Sequence, residues 1–561
     1  MKPETFIVKN ERRSANYKPN IWSYDYIESL TSKYTEEAYQ RQIEKLIMKV
    51  THVFYQARGM TKLRLIESMN NLCLSSLFDK EIRATLEVLQ YDIGSYRDTL
   101  EVLQSDVDDI RGLKDDLEAT ALYFRLLRQY GYNVSQDIFI KFIDKTGAFS
   151  ESLKTDINGV IQLYEASLLA LHGENIMDKA KDFSEECLKD LNPNIDTSIL
   201  KQVTRAMEHP LHWTVQWFWV RWQIDAYEHQ IDKNPMLLEL AKLNFNVIQA
   251  IHQRELQELS VWWKNLGLVQ DISFSRDRLI ESFLCAVGVA FEPHYANLRK
   301  CLTKVICFIL IIDDLYDIYG SPEELDCFTR AVNRWDSKEI EHLPKSIKLC
   351  FSALQNTTNE IDQAIHKDRY WDGTLPSMRK AWADLLKAFL LEAQWFNKHF
   401  TPSLEEYLQS AWISSTCPLL SLITHLLGVD ESAEEFVGKW KQKKNLIYCS
   451  SLISRLWNDI GTTDVELERG DAPSSIVCYM REANVSKDIA KGQIRGLITN
   501  AWKNINGELI ERFPKNQAST NFVINIARLS HFLYHNGDEI SNQDRKTKQL
   551  IQGLLIDPIA I

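Results

Sequence analysis

The 561-residue chain has few of the residues that interrupt helices, with 14 Pro and 20 Gly. Both fall below the average share for a chain of this size. Long runs containing Leu, Glu, Lys and Ala are therefore free to form helices. Alternating apolar–polar runs flanked by hairpin turns are also missing, so the expected fold class is all-α. Excess positive charge is missing too. The formal net charge is -12, which excludes a general nucleic-acid binder, because that role needs a basic face. The longest apolar run near the centre, Val305 to Ile312, has eight residues before it meets Asp313 and Asp314. Spanning a bilayer takes roughly 20, so no membrane span is expected. The ten cysteines contain no CxxC pair, which points away from a zinc site and a disulfide framework and toward a reducing compartment. The first eleven residues, MKPETFIVKNE, show neither an apolar signal segment nor a Ser/Arg-rich transit stretch. A cytoplasmic location follows as the expectation.

A chain of this length suggests two large domains. Helical periodicity dominates from Ser32 onward, and the polar stretch His229 to Pro235 (HQIDKNP) is the softest boundary. It divides the chain into residues 1–230 and 231–561. One internal repeat is visible: Ala84–Arg97 (ATLEVLQYDIGSYR) is echoed by Asp98–Arg111 (DTLEVLQSDVDDIR), 14 residues on. Fourteen residues are nearly four helical turns, so the duplicate keeps its apolar face aligned. A single duplication is not a solenoid, and it reads as a local insertion.

The strongest feature is IIDDLYDIYG, with Asp313, Asp314 and Asp317. Asp313 and Asp317 are i and i+4, so on a helix both carboxylates project from one face. Like charges at that spacing repel, and a divalent cation between them removes the penalty. Hard oxygen ligands suit magnesium. A second feature is RLWNDIGTTDVELERGD, where Asn458, Thr462 and Glu466 fall at i, i+4 and i+8. These three lie within an arc of about 80° on one helical face. Asp459 and Asp464 face elsewhere. Arg276 and Arg278 (FSRDRLIES) lie upstream of the first motif, and Arg455 sits one turn before Asn458. Guanidinium groups bind phosphate oxygens bidentately, so these arginines complement the two acidic motifs.

Together these residues resemble the plant class I terpene synthases over nearly the whole chain. The family's DDxxD motif stands as Asp313-Asp314-Leu315-Tyr316-Asp317. Its (N/D)Dxx(S/T)xxxE motif stands as Asn458, Asp459, Thr462 and Glu466, and its RxR motif as Arg276-Asp277-Arg278. Near the start, Arg12, Arg13 and Trp22 reproduce RR-x8-W. The resemblance implies two helical domains: an α-barrel-like N-terminal domain lacking the active site, and a C-terminal helical bundle that holds it. It also implies three Mg2+ ions, with Mn2+ as a substitute, and a monomer acting on a prenyl diphosphate. Metal ligands would be Asp313, Asp317, Asn458, Thr462 and Glu466. Substrate would be bound by Arg276, Asp313, Asp317, Arg455 and Asn458. Asp314 and Arg278 are further candidates.

The implied chemistry is loss of diphosphate, stabilised by the ions and by Arg276 and Arg455. A carbocation is left in a dry apolar pocket, and a proton then passes to the released diphosphate. The segments AKLNFNVIQA, CLTKVI and SSIVCYMREANVS resemble synthases of acyclic α-farnesene and β-ocimene. Many cyclising relatives carry Trp at the position of Cys285, where a ring could stabilise cyclised cations. Isoprene synthases carry Phe at the positions of Ile306 and Ser454. The leading expectation is therefore (E,E)-α-farnesene from (2E,6E)-farnesyl diphosphate. The alternatives are (E)-β-ocimene from geranyl diphosphate and, in another class, a non-enzymatic helical scaffold. Asp106-Val107-Asp108-Asp109 matches the DxDD of class II cyclases, but it lies in the duplicated insertion of a chain too short for that architecture.

Overall fold

A computed structural model describes residues 17–91, 115–191, 196–272, 274–368, 373–428, 438, 440–469, 472–512, 517–535, 537–538, 543 and 545–561. Among them there is no β-strand, only one isolated antiparallel bridge between Ile143 and Phe149. The all-α expectation is met. The duplicated segment is described only from Ala84 to Tyr91, the end of a helix that begins at Asp79. Its remainder, the DxDD tetrad, Arg12 and Arg13 lie outside the described residues.

In the N-terminal part, α1 (Glu37–Gln56) buries Ile43, Leu46, Val50 and Phe54. Their spacing of three and four residues makes one apolar stripe. Each such side chain contributes roughly 1.5–3 kcal/mol when fully buried. Helices α2 (Leu117–Gln129) and α3 (Ile157–Ser167) pack against each other. Helix α4 (Gln216–Glu228) ends just before the predicted boundary, and α5 (Pro235–Leu266) begins just after it. Asn234 caps α5 by accepting from the backbone N–H groups of Met236 and Leu237, with Pro235 in the first turn. That is the preferred chemistry of a helix start. Gly267, at φ +65°, ends the helix in the left-handed conformation that glycine adopts without a Cβ clash.

Helix α5 is the spine of the molecule. It receives α1 from the N-terminal side, and α6 (Leu279–Val289) and α7 (Ala296–Asp314) from the C-terminal side. Its amides also read the chain end: Gln249 donates to the carbonyls of Gly553, Leu554 and Asp557, and Asn246 to that of Ile559. The C-terminal bundle continues through α8 (Thr374–Asn397), α9 (Leu404–Ser414), α10 (Cys417–Gly428), α11 (Lys444–Arg469) and α12 (Gln517–Tyr534). The stretch from Leu404 to Gly428 is long and apolar enough to cross a bilayer, but 61% of its apolar window is buried in the fold. It is also broken at Thr416, where φ is +67°. It serves as two core helices.

The segment before α1 crosses to the C-terminal bundle. Trp22 donates its indole N–H to Glu281 at 3.1 Å, and Asn20 and Tyr24 both donate to Asp277. Trp263 donates to the same carboxylate at 3.0 Å. Residues 17–24 are thereby strapped over the entrance to α6.

Candidate active site

A cavity of about 480 Å³ lies within the C-terminal bundle. That size falls within the usual range for small-molecule sites. Its walls follow helical periodicity. Along α7, Ile306, Ile309 and Leu310 lead to Asp313; along α12, Ile526, Leu529 and Leu533 lead toward Tyr534 and Asp538. At 1.5 Å per residue, each helix carries the lining from apolar to polar over about 10 Å. The cavity therefore has a hydrocarbon end and an ionic end.

At the ionic end α7 stops at Asp314, and the chain continues as a single π turn, Leu315–Tyr319. Gly320 closes it by donating to the carbonyl of Leu315 at 2.8 Å. Such widened turns recur at functional sites. Here the turn leaves both Asp313 and Asp317 lining the cavity. Opposite stands α11, from which Arg455, Asn458, Thr462 and Glu466 line the same space. Thr462 donates to the carbonyl of Asn458 at 2.8 Å, so its hydroxyl lone pairs remain acceptors. Gly461 lets α11 lie against α12: a Cβ there would stand 2.6 Å from the carbonyl oxygen of Tyr534.

Asp314 is placed differently from its neighbours. It is fully buried and accepts from Ser275 Oγ at 3.0 Å, Arg276 N at 2.9 Å and Arg276 Nε at 3.2 Å. Arg276 then reaches Asp313 at 2.6 Å and lies over the Tyr17 ring, 4.8 Å from its centroid. Burial raises the Asp313 carboxyl, and Arg276 opposes that rise. Arg278 turns away from the cavity to the carbonyls of Lys18 and Asp277, where it helps to fix the strap.

The second motif repeats the device. Asp459 is buried, accepts from Tyr407 Oη at 2.9 Å and from Ser475 N at 2.9 Å, and pairs with Arg455 Nε at 3.1 Å. Asp464 is exposed and meets Lys487 and Lys491. Neither lines the cavity, as their helical phase predicts.

These donors fit a hard divalent cation. Among the described residues no three His, Cys, Asp or Glu side chains gather into a ready-made metal cluster. Two rows of oxygens instead face each other across an open space. Mg2+ is held in this way, through one or two carboxylates with the remaining positions left to water and phosphate oxygens.

Sequence reasoning missed several cavity residues. Tyr17 and Lys18 line it from the strap, so the segment before α1 adds two residues to a cavity otherwise walled by the C-terminal bundle. Glu392, Ser414–Thr416, Tyr534 and Asp538 also line it. Two of these had signals: Glu392 is a lone charge in the apolar run AFLLEAQWF, and Pro418 marks the helix break after Ser414. Cys285, Ile306 and Ser454, the positions singled out by comparison within the family, all line the cavity.

The fold and this site define a class of all-helical proteins in which two opposed oxygen rows close one end of an apolar chamber. The chain belongs to the terpene synthase family. Residues 21–207 match the terpene synthase N-terminal domain, and residues 264–504 match the metal-binding domain of the family. An alpha-farnesene synthase of Ricinus communis is 45% identical, covering 100% of this chain and 97% of the relative. An (E,E)-alpha-farnesene synthase of Malus domestica is 46% identical, covering 99% and 96%. The crystal structure of isoprene synthase from grey poplar, in complex with three Mg2+ ions and dimethylallyl-S-thiolodiphosphate, is 39% identical. It superposes with a TM-score of 0.86, covering 96% of this chain and 99% of that one.

Proposed function

We propose that this chain is a sesquiterpene synthase that ionises (2E,6E)-farnesyl diphosphate and releases diphosphate and an acyclic triene, (E,E)-α-farnesene. The observation that carries the reading is the pair of facing oxygen rows, with Arg276 and Arg455, at the ionic end of an apolar chamber. The names of the two full-length relatives support the product. A scaffold without chemistry has no use for two acidic motifs sharing one cavity.

Asp313 and Asp317 on one side, with Asn458, Thr462 and Glu466 on the other, would hold three Mg2+ ions, and Mn2+ would serve in their place. When bound, the ions neutralise the charge that develops on the departing diphosphate. Arg276 and Arg455 bind the same diphosphate oxygens with charge-assisted hydrogen bonds, held in position beforehand by Asp314 and Asp459. The apolar walls from Ile306 to Leu310 and from Ile526 to Leu533 exclude water from the allylic cation. Cys285 leaves the far wall without a ring to favour cyclised cations, and the cation loses a proton to the released diphosphate. We further propose a monomer located in the cytoplasm, with domains at 1–230 and 231–561 divided in the loop between α4 and α5.

Purified protein incubated with Mg2+ and either farnesyl or geranyl diphosphate tests this, with products identified by gas chromatography and mass spectrometry. α-Farnesene from the C15 substrate is expected. Turnover of geranyl diphosphate alone, giving β-ocimene, would sink the reading.

A further inference from the structure

Glu392 on α8 is a carboxylate in the reaction chamber with no part in the scheme above. It is buried at the centre of an apolar run, where a charge is costly unless it is paired. Its Oε1 accepts from Ser414 Oγ at 2.5 Å, at the last residue of α9, immediately before the helix break. Its Oε2 stands 3.7 Å from a terminal nitrogen of Arg455. That distance attracts without being a hydrogen bond.

Arg455 is thus held unequally at its two edges. Its Nε edge is fixed by Tyr407 Oη at 2.6 Å and Asp459 Oδ1 at 3.1 Å. Its terminal edge is balanced by Glu392 and stays within reach of the cavity. The other charged groups that act on this pair are Glu466 from α11 and Asp313 across the chamber. Burial raises the Glu392 carboxyl and Arg455 opposes it.

We propose that Glu392 is a positioning residue that competes with a bound diphosphate for Arg455 and draws the guanidinium back once the inorganic product leaves. This rests on the reading of the chamber as a diphosphate site. A dry site holding two arginines binds a tri- or tetra-anion tightly, and release of the product then limits turnover. A carboxylate beside one arginine stabilises the empty site and weakens the hold on substrate and product alike. Ser414 tempers the competitor, because the hydrogen bond it donates holds Glu392 toward the helix break.

The test is inhibition by inorganic diphosphate in the presence of Mg2+, measured on wild type, Glu392→Gln and Ser414→Ala. Glu392→Gln keeps a carbonyl acceptor for Ser414 and loses only the charge. Its inhibition constant should fall at least about fivefold, the lower end of a coupling between sites. Its kcat should fall more than its single-turnover rate. Ser414→Ala frees the carboxylate and should shift the inhibition constant the opposite way, a split that mere loosening of the fold cannot produce. Unchanged or weaker inhibition of Glu392→Gln overturns the proposal. If that variant does not fold, unchanged or tighter inhibition of Ser414→Ala overturns it. Wild type that resists inorganic diphosphate altogether refutes the diphosphate site itself, whereas an inhibited wild type with both variants unshifted refutes the role of Glu392 alone.

Discussion

The two oxygen rows differ in material and in backbone. The first offers two carboxylates, Asp313 and Asp317, at a helix end that opens into a π turn. The second offers an amide, a hydroxyl and a carboxylate along the unbroken helix α11. What they share is less visible. In each motif the acidic residue directly after the first cavity-facing donor turns inward and grips an arginine: Asp314 holds Arg276, and Asp459 holds Arg455. Adjacent residues on a helix lie about 100° apart, so one can face the chamber while its neighbour faces the core. The motifs thus pair a ligand with a clamp for the complementary cation.

That comparison can be broken by removing a clamp while leaving the ligands. Asp459→Ala removes the carboxylate that grips the Nε edge of Arg455, leaving only Glu392 at 3.7 Å beside a buried guanidinium, and should cost about 3–5 kcal/mol of stability, measured by denaturant unfolding. A loss below about 1 kcal/mol would mean that Asp459 is not the clamp. Gly461→Ala tests the backbone of the second row. Its methyl would press on the Tyr534 carbonyl, and overpacking of this kind costs typically about 1–3 kcal/mol. A raised KM for the substrate should accompany it, because Thr462 moves with Gly461. The smallest effect belongs to Asp464→Asn. Its exposed carboxylate meets the partly exposed Lys487 and Lys491 away from the cavity, so stability should change by less than about 0.5 kcal/mol and turnover should stay at the wild-type level.

The sequence read well wherever periodicity decides the outcome. Helical spacing alone assigned Asn458, Thr462 and Glu466 to one face and sent Asp459 and Asp464 elsewhere. The scarcity of Pro and Gly foretold an all-helical fold, and HQIDKNP marked the loop before α5. It read poorly where contacts join distant segments. Asp314 is only a further candidate by helical phase, which cannot show Ser275 and the Arg276 backbone converging on it from 39 and 38 residues away. Arg278 looked like a partner for phosphate because the RxR spacing does not show that its guanidinium meets the Lys18 carbonyl. Tyr17 and Lys18 were invisible for the same reason, since the strap reaches the cavity by crossing from the N-terminal part. Nor does the regular i, i+4 rule anticipate the π turn that carries Asp317.

If the facing rows assist departure of the diphosphate, Asp313 is the residue whose loss should show it. Release of diphosphate from farnesyl diphosphate should be followed with Mg2+ for wild type and Asp313→Asn, alongside their melting temperatures. Turnover should fall about 10²–10³-fold, the scale for removing one charge-stabilising group from an active site, with melting nearly unchanged. Turnover equal to wild type in a folded Asp313→Asn protein would contradict it.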